Sequence, residues 1–416
     1  MLKRVDSDWL RDINRRRVLR EVRKMGAVAR VDIADATGLS PATVTVVANE
    51  LIEHGLLEEA RAETEGDQRR RGRPRVLLRL APGALRVAGV KLAEHRISVI
   101  IVDFAGETVG EAETAVRTRA EPLDALINLI EENIRAAARQ ARVRPRDLAG
   151  IGIALPGYVD AMSGTAWWSP VLAEPEVHLT TLLERRFTCP VFADNDANIA
   201  TLAELWFGVG QGVRNFAVVT VEHGVGMGMV LDGRIRRGAR GLGAELGHMK
   251  VALDGAPCRC GQRGCLEAYV ADYALLRRAS SILPDVDLSD PARRREGLTA
   301  LTALAHDGSN EANAIFREAA AMLGLGMANL VNIVDPGMII LSGTRFRNEL
   351  LFSDIMAQTL RENSIPFGPP GPEIRTHVWG DLLWTRGAAA LALEGLTDDT
   401  LFGLQTTRTG AALAGA

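Results

Sequence analysis

The chain has 416 residues, of which 47% are hydrophobic and 24% charged, with a formal net charge of −3. That length exceeds one ordinary core and fits two or three globular domains, and the balance excludes a low-complexity polymer or a disulfide-stapled miniprotein. No run of about 18 uncharged apolar residues occurs, and Met1-Leu2-Lys3-Arg4 leads into charged sequence instead of an apolar signal core, so a cytoplasmic protein that does not span a membrane is expected.

The charge is unevenly placed. Residues 1–80 carry 17 Lys/Arg against 13 Asp/Glu, and the remainder carries 32 against 39. A basic amino-terminal unit on an acidic body fits a nucleic-acid contact confined to one end.

In chain order, Ile13, Val18, Val22 and Met25 recur near helical spacing and predict a helix from about Ile13 to Met25, ended by Gly26. A short helix over Val31–Ala36 follows, then the tight turn Thr37-Gly38-Leu39. Ser40 suits an N-cap with Pro41 at the first helical position, which starts a third helix running to about His54 and stopped by Gly55. On that helix Val44, Val47, Ala48 and Leu51 share one face, while Ala42, Thr43, Thr45, Val46 and Asn49 lie towards the other. A recognition helix needs this division, with one side docked on its own domain and a thin side that enters the major groove. The alternative is a plain helical protein-interaction module.

Leu56–Glu63 and Val76–Leu80 read as strands of a hairpin, so residues 1–80 are expected to form a winged helix-turn-helix. Its basic tip, ending in Arg71-Gly72-Arg73-Pro74-Arg75, is suited to phosphates, with Arg73 slim enough in its extended setting for a narrow minor groove. A solvated charge run is the competing explanation. The expected contacts to double-stranded DNA are Ser40, Pro41, Ala42, Thr43, Thr45, Asn49, Arg71, Arg73 and Arg75.

From Ala84 onward strands and helices alternate as in an α/β fold. Arg86–Leu92, Arg96–Asp103 and Thr108–Thr118 read as a strand meander, Pro122–Ala141 as an amphipathic helix, and Leu148–Leu155 as a buried strand ending at Pro156-Gly157. A strand at Pro190–Ala193 leads into Asp194-Asn195-Asp196-Ala197-Asn198 and a helix to Phe207. Phe216–Val221 and Gly226–Leu231 suggest a second strand set. A long helix over Ala312–Val334 and a strand over Met338–Leu341 close the series. The order predicts two similar lobes with a cleft between them.

Three of the four cysteines, Cys258, Cys260 and Cys265, fall within eight residues, and His248 stands ten positions before the first. One imidazole and three thiolates suit tetrahedral Zn²⁺, and four protein ligands leave no position for water, so one structural zinc ion per chain is expected. Buried thiols or an adventitious disulfide would be the metal-free alternative. Cys189, alone before Pro190, is expected to be a buried structural thiol.

Four motifs in order, Pro156-Gly157-Tyr158-Val159-Asp160, Asn195-Asp196-Ala197-Asn198, Glu245-Leu246-Gly247-His248 and Cys258-x-Cys260-Gly261-x-x-Gly264-Cys265-Leu266-Glu267, resemble the ROK family of sugar kinases and repressors. The resemblance covers about residues 84–395, and the preceding winged helix resembles the family's repressor branch, the regulators of xylose and N-acetylglucosamine genes. It implies a two-lobed actin-like, hexokinase-like sensor in a bacterial cytoplasmic protein, placed on the nucleoid when bound to its operator. Residues 396–416 would be a poorly ordered tail. It also implies that Gly157, Asn195, Asp196, Glu245, His248 and Glu267 surround a sugar, whose hydroxyls need partners that donate and accept. Asp196 matches the kinases' general base, and the same residue would equally suit a helix cap.

The family's kinases carry an Asp-x-Gly-Gly-Thr-Lys turn on the first strand. Here Val90-Lys91-Leu92-Ala93-Glu94-His95 has no Gly pair, and Glu222-His223-Gly224 replaces the second phosphate loop, a Gly-Thr-Gly. Bulky side chains keep backbone amides from a phosphate, and Glu94 would repel it. No catalytic residue is therefore expected, and the leading expectation is a sugar-responsive transcriptional regulator, most simply a repressor, acting as a homodimer or dimer of dimers. The alternatives are an active ATP-dependent sugar kinase with a DNA-binding appendage, or a regulator controlled by a partner protein. Trp167-Trp168 would either stack on a pyranose face or pack in the core.

Overall fold

A computed structural model describes residues 7–61, 76–284, 286–288, 290–343, 353–366, 370–377 and 379–397. By compactness the chain divides into two units: one of residues 1–155, 161–194 and 388–416, the other of residues 156–160 and 195–387.

The first unit opens with α1 (Ser7–Met25), β1 (Val28–Ala29), α2 (Arg30–Thr37) and α3 (Pro41–Glu53). The first helix begins earlier than the apolar spacing predicts, because its first turns are polar. Val18, Leu19 and Val22 are buried, whereas Met25 is exposed. Ser40 caps α3 by accepting from Thr43 N at 3.1 Å, with Pro41 in the first turn. The docked face of α3 is Val44, Val47, Ala48 and Leu51, all buried. Glu50 is also buried, and Arg15 of α1 meets its carboxylate through Nε (3.2 Å) and Nη2 (3.0 Å). Two further strands, β2 (Leu57–Arg61) and β3 (Val76–Leu80), pair antiparallel, and β1 joins on the other edge of β3. A two-residue strand carries too short an alternation to be read from sequence.

The same unit continues with β4 (Arg86–Ala93), β5 (Arg96–Asp103) and β6 (Thr108–Ala115), an antiparallel meander, then α4 (Leu123–Gln140) and β7 (Gly150–Leu155), which pairs parallel to β4. Every residue of β7 is buried, as for a strand covered on both faces. After β8 (Tyr158–Asp160) come β9 (Thr165–Trp168), β10 (Val177–His178), α5 (Leu179–Glu184) and β11 (Val191–Asn195), giving the five-stranded order β11-β7-β4-β5-β6. The winged helix meets this body where the Arg23 guanidinium of α1 lies 5.4 Å from the ring centroid of Phe104. Cys189 is buried as expected, and burial pushes its thiol up to about 11. Trp167 and Trp168 are each 48% exposed, so neither packs in a core.

The second unit is built on α6 (Asp196–Phe207), β12 (Phe216–Val221), β13 (Val225–Leu231) and β14 (Arg234–Ile235), followed by α7 (Glu267–Val270), α8 (Asp272–Arg278), α9 (Pro291–His306) and α10 (Asn310–Val334). It closes with β15 (Met338–Ser342), α11 (Ser353–Asn363) and β16 (Glu373–Thr376). Its sheet order is β14-β13-β12-β15-β16, with β12, β13 and β14 antiparallel and β12, β15 and β16 parallel. Both five-stranded sheets thus place a three-strand meander beside strands reached by helical crossovers, which is the repeated lobe expected from the element order. By length and composition α10 could cross a membrane, but Ile315, Leu323, Met327 and Leu330 are buried within this unit. A last helix, α12 (383–397), passes from the second unit into the first, and the expected tail lies outside the described residues beyond 397.

Candidate functional site

The second unit brings together the residues singled out for a sugar and for a metal. Between the short turn Leu246–His248 and α7, the chain forms a small hairpin held by the isolated bridges Lys250 to Cys265 and Pro257 to Arg263. Inside it Cys258 N donates to Gln262 O (2.8 Å) and Gly261 N to Cys258 O (3.1 Å), a tight knuckle that turns consecutive thiols towards one point. Glycine is required at Gly247, where a Cβ would collide with the Val225 carbonyl, and at Gly264, with φ +73° and the Ala252 carbonyl against it.

The donor atoms of His248, Cys258, Cys260 and Cys265 all lie within 4.8 Å of one another. Cys260 Sγ is 3.7 Å from Cys265 Sγ, and Cys258 Sγ is 3.8 Å from His248 Nδ1. A tetrahedral site with Zn–S near 2.3 Å and Zn–N near 2.0 Å separates its donors by about 3.6–3.8 Å, so the spacing and the soft donor set both suit such an ion. Without an ion, burial pushes the Cys258 thiol up to about 12. One cation stands against the sulfurs, Lys250 Nζ at 3.0 Å from Cys265 Sγ, and the Arg259 guanidinium lies 4.0 Å from the ring centroid of Tyr273, whose hydroxyl reaches Cys258 Sγ at 3.7 Å. Neither Lys250 nor Tyr273 is legible as part of the site from sequence, since both lie outside the ligand spacing.

The sugar-side candidates adjoin this cluster. Glu267 is nearly buried, with Oε2 accepting from Val225 N (3.3 Å) and Oε1 from the Tyr273 hydroxyl (3.4 Å). Glu245 is exposed as a residue, yet partial burial of its carboxylate, joined by the charges of Asp196 and Glu267, holds it above the ordinary carboxylate range against the pull of His248. Tyr158 is raised likewise by burial first, then by Glu245, Cys260, Glu267 and Cys258. Tyr158 thus stands beside the carboxylates, a neighbour that the sequence offered only through its place after Gly157.

Asn195 organises the loop end. Its Oδ1 accepts from Ala197 N (2.8 Å), capping α6, and its Nδ2 donates to Gly157 O (2.7 Å). The cap anticipated as one role for Asp196 therefore belongs to Asn195, and Asp196 is the first residue of the helix. All six sugar-side residues, Gly157, Asn195, Asp196, Glu245, His248 and Glu267, fall in this one unit.

Two further turns, Glu94-His95 and Glu222-His223-Gly224, occupy the positions that the sequence resemblance matches to the kinases' phosphate loops. Glu94 and His95 form the two-residue turn between β4 and β5. The flanking carbonyls are taken, Ala93 O by Thr118 Oγ1 (2.9 Å), Glu94 O by Thr118 N (3.2 Å) and His95 O by Val116 N (3.0 Å). In the second unit His223 Nδ1 lies 3.1 Å from Asp272 Oδ2 and Asp272 N donates to Glu222 O (3.0 Å).

On α3 the docked and outward faces divide as the sequence predicts, with Pro41, Ala42, Thr45, Val46 and Asn49 exposed and Thr43 half-buried. Ser40 is exposed but its hydroxyl is engaged in the cap. Arg71, Arg73 and Arg75, expected to bind phosphates, lie outside the described residues.

The sequence profile of the ROK family matches residues 87–394. The chain belongs to the ROK family. A winged helix-turn-helix DNA-binding profile matches residues 11–58 of this ROK protein. It is 30% identical over 365 residues to the xylose repressor of Caldicellulosiruptor bescii, covering 85% of this chain and 87% of that one. It is 28% identical over 338 residues to the Escherichia coli K12 DNA-binding transcriptional dual regulator NagC, covering 81% of each. Among solved structures, a ROK family transcriptional regulator homologous to the E. coli MLC protein superposes with TM-score 0.76 at 25% identity, over 94% of this chain and 98% of that one. A ROK hexokinase from Thermus thermophilus gives TM-score 0.64 at 31% identity, over 75% of this chain and all of the other.

Proposed function

We propose that this ROK protein is a sugar-responsive transcriptional regulator, in its simplest form a repressor whose operator affinity changes when a carbohydrate occupies the second unit. One observation carries the reading: a single chain joins a winged helix with an exposed recognition face of small residues to the sugar-side set Asn195, Asp196, Glu245, His248 and Glu267 gathered at a His/Cys₃ cluster. The names of the xylose repressor and NagC support it. In this reading residues 1–80 bind double-stranded DNA, with Arg71, Arg73 and Arg75 of the wing on phosphates, and residues 84–395 sense the sugar. A homodimer follows from the short half-site that one winged helix covers.

The metal is Zn²⁺ with a structural role, held by His248, Cys258, Cys260 and Cys265. It would supply a rigid, closed cross-link and no catalytic water. His248 then serves twice, fixing the ion and setting the turn that carries Glu245, while the Tyr273 hydroxyl, 3.7 Å from Cys258 Sγ and 3.4 Å from Glu267 Oε1, links the cluster to the other carboxylate. ATP-dependent transfer is absent in this reading, supported by the closed Glu94-His95 turn. Structures of ROK kinases share the fold, so the distinction rests on those residues.

The ligand acts by population shift: a sugar that binds one arrangement of the ROK domain better draws the winged helices into the spacing that this arrangement permits. The test is a thermal-shift screen of intact protein against monosaccharides, disaccharides and sugar phosphates, followed by operator titrations with any ligand found. A sugar that stabilises the protein and alters operator affinity supports the reading, and operator affinity indifferent to every sugar overturns it.

A further inference from the structure

We infer that the outward face of α3 reads thymine methyl groups, with Val46 and the methyl of Thr45 as its specificity determinants. This rests on the reading of α3 as the DNA-reading element and adds which chemistry of the base edge it uses. At about 100° per residue, Ala42, Thr45, Val46 and Asn49 fall within an arc of about 100° directly opposite Leu51, with Glu53 at the last turn of the same arc, and all five are exposed. Val46 is 55% exposed, an apolar β-branched residue on a helix face that solvent alone would fill with Lys or Glu.

The polar atoms on this face are largely engaged within the domain. Thr45 Oγ1 donates to Pro41 O at 2.8 Å, which uses its only proton inside the helix and leaves the methyl as the group with no partner to satisfy. Thr43 Oγ1 lies 2.8 Å from Ser40 Oγ in the cap. Asn49 Oδ1 accepts from Arg30 Nη2 at 3.3 Å, and the same guanidinium nitrogen pairs with Glu59 at 3.1 Å. One acceptor site of Asn49 Oδ1 is thus engaged, and its amide N–H₂ is left to donate to a base acceptor. Beside that amide, the face presents three small apolar surfaces, Ala42, the Thr45 methyl and Val46, with the exposed Glu53 at its carboxy-terminal end. In the major groove the single apolar feature of any base pair is the thymine C5-methyl.

The experiment uses intact protein and the duplex it enriches from a random pool. Each thymine of that duplex is replaced singly by deoxyuridine, which removes the methyl and keeps base pairing and the O4 acceptor, and affinity is read by fluorescence anisotropy at fixed salt. At one or two positions per half-site, replacement should weaken binding about fourfold, the value of one buried methyl. Val46→Ala should weaken the thymine duplex similarly and be insensitive to deoxyuridine at its position. Thr45→Val should keep wild-type discrimination whereas Thr45→Ser loses it, with unchanged thermal midpoints as the folding control. A specific duplex that tolerates deoxyuridine throughout, or a Thr45→Ser protein as selective as wild type beside an unselective Thr45→Val, overturns methyl reading while DNA recognition stands. Enrichment of no sequence at all removes the underlying DNA-reading role and this inference with it.

Discussion

Glu267 lies between Val225 and Cys258 of the His/Cys₃ cluster: its Oε2 accepts from the backbone of Val225 at 3.3 Å, and its Oε1 lies 3.6 Å from Cys258 Sγ. A carboxylate so held is aimed before any ligand arrives, and it ties the first residue of α7 to the first residue of β13.

Glu267→Ala is accordingly expected to abolish the sugar-dependent change in operator affinity while ligand-free operator binding persists. Because a buried acceptor for Val225 N and Tyr273 is lost as well, stability should fall by about 1–3 kcal/mol. Anisotropy titrations with and without sugar, paired with denaturant unfolding, check both. A full sugar response in this variant would take Glu267 out of the ligand set. Glu245→Ala should lose the response with little change in stability, since that residue is exposed.

Intact protein should contain one zinc ion per chain by elemental analysis. Cys260→Ser should lose it and unfold at a markedly lower temperature, because metal binding at a His/Cys₃ site is coupled to folding of the hairpin around it. Cys189→Ser, at a buried thiol remote in sequence from the cluster, should keep the ion. Well under one zinc in folded wild-type protein would remove the structural metal.

The buried pair Arg15 and Glu50 makes a separate claim on the DNA-binding unit. Arg15 is itself buried and also binds Asp12 at 2.9 Å, so removing Glu50 leaves a guanidinium inside without the carboxylate that meets its Nε and Nη2. Glu50→Ala is expected to destabilise the winged helix by about 3–5 kcal/mol and to weaken operator binding, with zinc content unchanged. Calorimetry of the intact protein shows whether the loss is confined to one transition.

Much of this was legible because the relevant signals are local. The Ser40-Pro41 start of α3, the thiol spacing and the apolar runs of β4, β5, β7 and β12 depend on neighbours a few residues apart. What escaped has a different cause. Glu50 looks like a solvent residue until Arg15, 35 positions away, is placed against it. Lys250 reaches the cysteine cluster because the hairpin folds back on itself, and Tyr273 because α8 brings its hydroxyl to Cys258. The capping role went to Asn195 and not to Asp196, a one-residue question that only the backbone angles at the helix start decide. The strands β8 to β10 and β16 are two to four residues long, too short for periodicity to announce.

The last expectation separates regulator from kinase. Catalysis of phosphoryl transfer is mostly positioning and charge stabilisation about the γ-phosphate, for which backbone N–H groups must be presented by a slim, open turn. At the end of β4 this chain places Glu94 and His95 in a two-residue hairpin, with the carbonyls of Ala93, Glu94 and His95 already bonded to Val116 and Thr118. If a polyphosphate approached this turn, the Glu94 carboxylate would repel it. The protein should therefore bind a sugar, read as a thermal shift, and yet leave ATP intact in a coupled assay over the same sugars. Glu94→Gly should not restore turnover by itself, because the hairpin register and its bonds to Thr118 would persist. Sugar-dependent ATP turnover by the wild-type protein at about 1 per second or faster would establish an active kinase carrying a DNA-binding domain.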